Sequence, residues 1–238
     1  MNQFSIPRDA YRYILFQRTQ YLKSPQYERF YRLAKKLTSF ESIVQFESRL
    51  FKNHIAISYF ADMCRELESM KPHLPQQPSA ILDIGCGIAG IDALLFDHYN
   101  GRCDLFLLDK TGMEEKVFYH FESRGAVYNS LDLAQKFLTL NGVDRSRITT
   151  QEATPENEIL FGDQVFDLIF SLISWGYHYP VSTYLQPAFE RLRPEGRLII
   201  DVRKGNDQAK QIRDLFGNAT VIGEDSKSER ILAIKSSD

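Results

Sequence analysis

Residues 80–90 read Ala-Ile-Leu-Asp-Ile-Gly-Cys-Gly-Ile-Ala-Gly, a short apolar run that closes on Gly85, Gly87 and Gly90. This is G-x-G-x-x-G placed between a strand and a helix, an arrangement few folds can use. The glycines permit a tight turn, let a ligand approach the backbone, and leave a helix N-terminus pointing at it. Three further apolar runs follow: DLFLLD at 104–109, VFDLIFSLI at 165–173 and RLIIDV at 197–202. Each is short and rich in branched or aromatic residues, as strands of a parallel sheet covered on both faces must be. Helical candidates at 90–98, 129–141 and 182–193 lie between them, and the alternation predicts a doubly wound α/β sheet. ATVIG (219–223) and RILAIKS (230–236) are separated only by charged turn residues, so they predict an antiparallel hairpin at the end of the sheet.

The N-terminal part reads differently. Tyr27, Phe30, Tyr31 and Ala34 follow an i, i+3, i+4, i+7 stripe, and Ile43, Phe46 and Leu50 and then Ile57, Phe60 and Ala61 continue similar patterns. KPHLPQQPS (71–79) holds three prolines and no periodicity, which marks a linker. The expected organisation is a helical arm over 1–70, a linker over 71–79 and a sheet domain over 80–238, consistent with a length of 238 residues. The net charge of −2 hides an asymmetry: residues 1–36 carry eight basic and two acidic side chains, which leaves −8 on the remainder. A basic, tyrosine-rich arm on an acidic body suits an anionic partner; a solvated helix face explains it equally well. No apolar run is long enough to span a membrane. Arg8, Asp9 and Arg12 interrupt any secretory signal, and three cysteines without C-x-x-C spacing suit a reducing compartment, so a cytoplasmic protein is expected.

Two carboxylates narrow the ligand. Asp109 closes the next strand 19 residues beyond Gly90, where a ribose-binding carboxylate belongs; this alone fits a dinucleotide or a nucleoside cofactor. Asp83, two residues before the first glycine, would repel a pyrophosphate and attract an ammonium group. That favours S-adenosylmethionine over NAD, the alternative being that Asp83 merely caps the turn.

ILDIGCGIAG resembles the first motif of the class I S-adenosylmethionine-dependent methyltransferases, and further segments match in order over residues 80–236. The resemblance implies a seven-stranded, mostly parallel sheet with a C-terminal antiparallel hairpin. It implies ribose hydroxyls on Asp109 and, through TTQEA (149–153), the adenine amino group near Glu152. FDLIFSLIS (166–174) resembles the fourth strand and its active-site end, and LRPEGRLIIDV (192–202) the turn and fifth strand. The resulting cofactor-binding set is Asp83, Gly85, Cys86, Gly87, Gly90, Asp109, Lys110, Glu152 and Ser171. Two departures stand out: Ala89 where many members have a third close glycine, and Glu195 in place of one glycine of a P-G-G turn. The stretch 110–142 is similar to bacterial methyltransferases associated with sugar or surface-polysaccharide modification.

Ligands of open α/β sheets bind at the carboxyl ends of the strands, so Ser174–Pro180 should border a transferred methyl group. His178 is the expected general base, because its ordinary pKa suits proton removal near neutrality. Trp175 and Tyr177 are expected to wall the acceptor, with core packing as the alternative. Tyr179, held extended before Pro180, is expected to be structural. Helices before the first motif often cover the acceptor site in this family, which makes Tyr21 a candidate lid residue beside Tyr11, Tyr13, Tyr27 and Tyr31. The absence of N-P-P-[YFW] and of Pro-Cys after the fourth strand argues against amino and carbon methylation of nucleic-acid bases. The scattered histidines offer no metal-ligand spacing, so no metal is expected.

The leading expectation is an S-adenosylmethionine-dependent methyltransferase acting on a small polar acceptor, anionic or sugar-like. Three alternatives stay open: an RNA methyltransferase using the basic arm, a non-catalytic cofactor-binding subunit, and an NAD-dependent oxidoreductase.

Overall fold

The computed structural model describes residues 1–23, 39–113 and 128–237. The stripe through Tyr27 and Tyr31 lies outside them. The arm contains helices α1 (Ala10–Gln17), α2 (Phe40–Leu50) and α3 (Lys52–Met70). Strand β1 (Ala80–Ile84) runs through the glycine turn into α4 (Gly90–His98), followed by β2 (Asp104–Asp109). Two short pairing segments, β3 (Gly112–Met113) and β4 (Tyr128–Asn129), precede α5 (Leu131–Leu140) and β5 (Ile148–Glu152). The chain continues through β6 (Phe166–Ser171), β7 (Ser174–Tyr179), α6 (Leu185–Arg191), β8 (Leu192–Arg203), α7 (Gln208–Phe216), β9 (Ala219–Glu224) and β10 (Ser228–Ile234).

Seven strands form one sheet in the order β5-β2-β1-β6-β8-β10-β9. The first five are mutually parallel, and β10 runs antiparallel to both its neighbours. This is the expected doubly wound sheet with its terminal hairpin. From β1 the chain winds outward through β2 to β5, then returns to place β6 on the other side of β1. The order therefore reverses between β1 and β6, and a crevice opens at their carboxyl ends.

Alternation along β1 sorts its side chains between two cores. Ile81 joins a core shared with α1, α3, α4 and α5, while Leu82 and Ile84 join a second core with Phe166, Ala188, Ile212 and Phe216. Asp83 therefore points toward α4. The first core contains arm residues (Ile14, Tyr59, Met63, Leu67) together with sheet residues (Leu105, Leu107, Phe170), so arm and sheet bury one continuous apolar surface. The proline-rich stretch is tied down as well: Arg197 donates to the carbonyls of His73 and Leu74, and the Tyr99 hydroxyl donates to Pro75. Across the same face, Arg230 of β10 binds Asp201 through two nitrogens and Glu66 of α3 through a third contact.

Strand β6 ends at Ser171, two residues before the end of its apolar run, and Ser174–Tyr179 forms a further strand that the apolar runs did not signal. Helix α7 was not foreseen, although Ile212 and Phe216 four residues apart and Gly217 in the left-handed region (φ 69°) form a helical stripe with its stop. Both departures from the family pattern stand in the left-handed region, Ala89 at φ 59° and Glu195 at φ 64°. A side chain there costs about 1–2 kcal/mol, yet the turns keep the shape that glycine makes easy.

Candidate functional site

The glycine turn leaves β1 at Ile84. Gly85 and Gly87 have φ of 85° and 56°, and a Cβ on Gly85 would overlap the Ser174 side chain. A Cβ on Gly87 would lie 2.8 Å from Gln17 Oε1, so the end of α1 rests over the turn. Gly90 opens α4 beneath Tyr59, whose hydroxyl and ring a Cβ would strike. Each glycine is thus required by a different neighbour: β7, α1 and α3.

Asp109 closes β2 against this turn. Its Oδ2 accepts the Gly87 N–H at 2.8 Å and its Oδ1 the Lys110 N–H at 2.7 Å. Burial raises its pKa to about 6 despite these two bonds, which oppose the rise. Each oxygen retains a lone pair for a further donor. Glu152 lies beside Asp109 in register and takes the Thr111 N–H at 2.6 Å. Lys110 contributes its backbone; its side chain is exposed. Cys86 is buried within the turn, and desolvation followed by the Asp109 charge pushes its thiol up, so it stays protonated and donates to Gly87 O.

Around this turn lie most of the buried, unpartnered side-chain atoms among the described residues: Asp83 Oδ1, both oxygens of Asp92, and both polar atoms of Asn129, with Arg12 Nε of α1. Asp83 and Asp92 approach each other. Desolvation raises both carboxyls, and the neighbouring Asp92 adds to the rise at Asp83. Asn129 is 3% exposed and faces Cys86 and Asp109. Sequence reasoning missed Asn129 and Asp92. An aspartate in the first turn of a helix reads as a dipole partner, and an asparagine before a helix reads as a cap; here Ser130 caps α5.

On the other side of the crevice the polar groups satisfy one another. Ser171 Oγ donates to Ile84 O at 2.6 Å and accepts the Trp175 N–H at 3.0 Å, stapling the ends of β1 and β6 to β7. Trp175 is fully buried, with Nε1 on Val181 O at 2.8 Å and its ring edge-on to Tyr184. Trp175 therefore belongs to the second core and does not wall an acceptor. Gln208, also unforeseen, accepts the Val181 N–H and donates to Gly176 O, clamping both ends of the segment. Arg203 lies over the Tyr177 ring at 4.4 Å and donates to its carbonyl. Ile173, a β-branched residue, stands at φ 54° beside the Asp201 carboxylate.

Tyr179, expected to be structural, is the tyrosine brought to the turn. Its hydroxyl lies 3.8 Å from the position of a Gly85 Cβ, bonds Ser174 and feels Asp109. Tyr184 feels Asp109 too, and desolvation raises both phenols. The pleat of β7 turns His178 to the opposite side from Tyr179. His178 is exposed, edge-on to Tyr177; partial desolvation and Arg203 lower its pKa, so it is neutral at pH 7. The structure does not bring it to the glycine turn as a base. Tyr21 is likewise removed from any acceptor surface: it is buried, its hydroxyl donates to Asp62, and burial pushes its pKa up to about 12.

Among the described residues no group of three His, Cys, Asp or Glu side chains is placed to hold a metal ion, and no helix is long and apolar enough to cross a membrane. No protein-family model and no curated protein sequence matches the chain. Solved structures do. An O-methyltransferase family protein from Burkholderia thailandensis aligns over 80% of this chain and 63% of its own length, with TM-score 0.51 and 14% identity. The chain therefore spans less than two thirds of that protein. Precorrin-6y C5,15-methyltransferase from Geobacter metallireducens aligns over 73% of this chain and 87% of its own, with TM-score 0.50 and 16% identity. At such identities the likeness establishes architecture. The chain has the Rossmann-like α/β fold seen in class I methyltransferases.

Proposed function

We propose that the chain is an S-adenosylmethionine-dependent methyltransferase whose acceptor is a small polar molecule, a sugar or glycan-precursor hydroxyl. The observation that carries this reading is the glycine turn at the switch point, bordered by Asp109 and by buried polar atoms of Asp83 and Asn129 that make no hydrogen bond of ordinary geometry within the protein. Such atoms cost free energy unless a ligand satisfies them. Their chemistry fits this cofactor: carboxylate and carboxamide for ribose hydroxyls at Asp109 and Asn129, an acid facing an ammonium at Asp83, and backbone free of Cβ at Gly85 and Gly87. An acid at Asp83 does not fit a pyrophosphate.

When bound, the cofactor supplies a methyl group already activated by a positive sulfur. The protein contributes alignment, worth about 7–11 kcal/mol in favourable cases. Ser171 fixes the ends of β1 and β6, and Gln208 fixes the segment that carries Tyr179. Tyr179 stays protonated, so it can donate a hydrogen bond at the turn, and the geometry favours it over His178 as the acceptor-side contact. The sugar-like acceptor is supported by the similarity of 110–142 to sugar-modifying enzymes, of which 114–127 lie outside the described residues. The basic arm gives less support to an RNA acceptor: Arg18 lies 3.9 Å from Asp62, and Arg12 and Lys23 lie over the Tyr13 and Phe51 rings.

Calorimetric titration with S-adenosylhomocysteine and, in parallel, NAD tests the cofactor class. Micromolar binding of the first alone is expected; binding of NAD alone overturns the reading. Transfer of a labelled methyl group to sugar nucleotides but not to RNA is expected next, and the reverse replaces the acceptor class.

A further inference from the structure

We propose that Asp92 is a specificity-determining residue that, through a proton shared with Asp83, lets the protein distinguish the sulfonium methyl donor from its product, which lacks the sulfur charge. The inference rests on the cofactor class proposed above. Asp83 at the end of β1 and Asp92 in the first turn of α4 are 3% and 0% exposed. They face each other, and both oxygens of Asp92 and Oδ1 of Asp83 lack any hydrogen-bond partner of ordinary geometry. Neither is in an ion pair among the described residues. Two adjacent carboxylates this deeply buried cannot both hold a full charge, so the free protein keeps a proton between them.

The groups facing the pair do not supply a compensating cation, and the partly buried Arg12 guanidinium of α1 lies over the Tyr13 ring and bonds the Tyr13 hydroxyl. From α3 comes the Tyr59 hydroxyl, which lies against Gly90; from the turn, the protonated Cys86 thiol; from the residues before β2, Cys103; from β2, Asp109; from β7, Tyr179. Arg18 acts on Tyr59 while lying 3.9 Å from Asp62. Most of this ring is neutral or negative, so a positive ligand is what the pair lacks. The Asn129 carboxamide, buried beside Cys86 and Asp109 on the same turn and without a hydrogen bond of ordinary geometry, is an independent sign that this turn is built for a ligand.

The proton balance is simple. In the free protein the two carboxyls hold one proton and one negative charge. Arrival of the donor, with a positive sulfur and an ammonium group, stabilises two carboxylates, and the shared proton passes to solvent. S-Adenosylhomocysteine brings the ammonium but not the sulfur charge, and so displaces less of the proton. Donor affinity then rises with pH, by at most about tenfold per pH unit for one proton released, and more steeply than product affinity.

The test is calorimetry of the intact chain with S-adenosylmethionine and S-adenosylhomocysteine between about pH 6 and about pH 8, in buffers of different ionisation enthalpy, which count released protons directly. Proton release larger for the donor than for the product, and lost in Asp92→Asn, is expected. Equal release for both ligands, no release with the donor, or release unchanged in a folded Asp92→Asn overturns the proposal. If Asp92→Asn does not fold, the counts on the wild-type chain decide. Failure of both ligands to bind overturns the cofactor class itself, a result distinct from binding without proton release.

Discussion

The β1–α4 side of the crevice and the β6–β7 side treat their polar atoms in opposite ways. On the first, Asp83 and Asp92 are buried with only each other to share a proton, and Asn129 is buried without a hydrogen bond of ordinary geometry. On the second, Ser171, Trp175, Gln208 and Arg203 each find one within the chain. A buried polar atom without a partner lowers stability, whereas a satisfied one rigidifies its surroundings. The first side carries the demand for a ligand, and the second is a frame that holds Tyr179 and its neighbours in place. This contrast separates residues whose removal should weaken binding from those whose removal should weaken folding.

The comparison breaks most visibly at the turn. Gly87→Val places a branched side chain at φ 56° against Gln17. Binding of S-adenosylhomocysteine should fall by more than about a hundredfold, a loss of more than about 2.7 kcal/mol, as titration would show. Asp109→Ala should weaken binding by more than about tenfold, because charge-assisted bonds are lost. On the framing side, Gln208→Ala strands the Val181 N–H and the Gly176 carbonyl. It should lower unfolding free energy by about 1–3 kcal/mol in denaturant titration while leaving cofactor affinity within about twofold.

A pH series sharpens the same contrast. Burial raises the carboxyls of Asp83, Asp92 and Asp109 above their unfolded values, the last to about 6. Their contribution to stability is complete below the ordinary carboxylate range and is lost as pH rises through the raised values. Between about pH 5 and about pH 8 the wild type should therefore lose about 1–3 kcal/mol relative to Asp92→Asn, measured by denaturant unfolding of both. The smallest effects are expected at β7. Tyr179→Phe should slow turnover by about tenfold through loss of one hydrogen bond, and His178→Ala by less than about threefold. A loss of about a hundredfold in His178→Ala with binding intact would return the imidazole to the role of base.

The ease of reading the sequence followed the same division. The strands β1 and β2 matched their apolar runs to the residue, because a central parallel strand buried on both faces must be continuously apolar. Gly85, Gly87, Gly90 and Asp109 meet at the turn because their backbone requirements are local. Edge strand β5 buries chiefly Ile148 and left a weaker signal. The β6–β7 side was harder. Trp175 could have faced either core or crevice, and only the tertiary placement of Val181 O decides. Tyr179 and His178 are adjacent in sequence, and which of them meets Gly85 depends on the pleat of β7, a strand that no apolar run signalled. Gln208, Asn129 and Asp92 act through partners, or the lack of them, contributed by distant elements. Nothing in their own neighbourhoods shows this.

The contrast between the two sides rests most heavily on Asn129, a buried carboxamide beside Asp109 and Cys86 whose donor and acceptor both lack a hydrogen bond of ordinary geometry. The most direct test is the affinity of Asn129→Ala for S-adenosylhomocysteine, with its unfolding free energy measured in the same buffer. At least about a tenfold loss of affinity is expected, with stability unchanged or increased, since a poorly satisfied group has been removed. Unchanged affinity with a loss of stability would show that Asn129 is already satisfied in solution, and would contradict the assignment of this side of the crevice to a ligand.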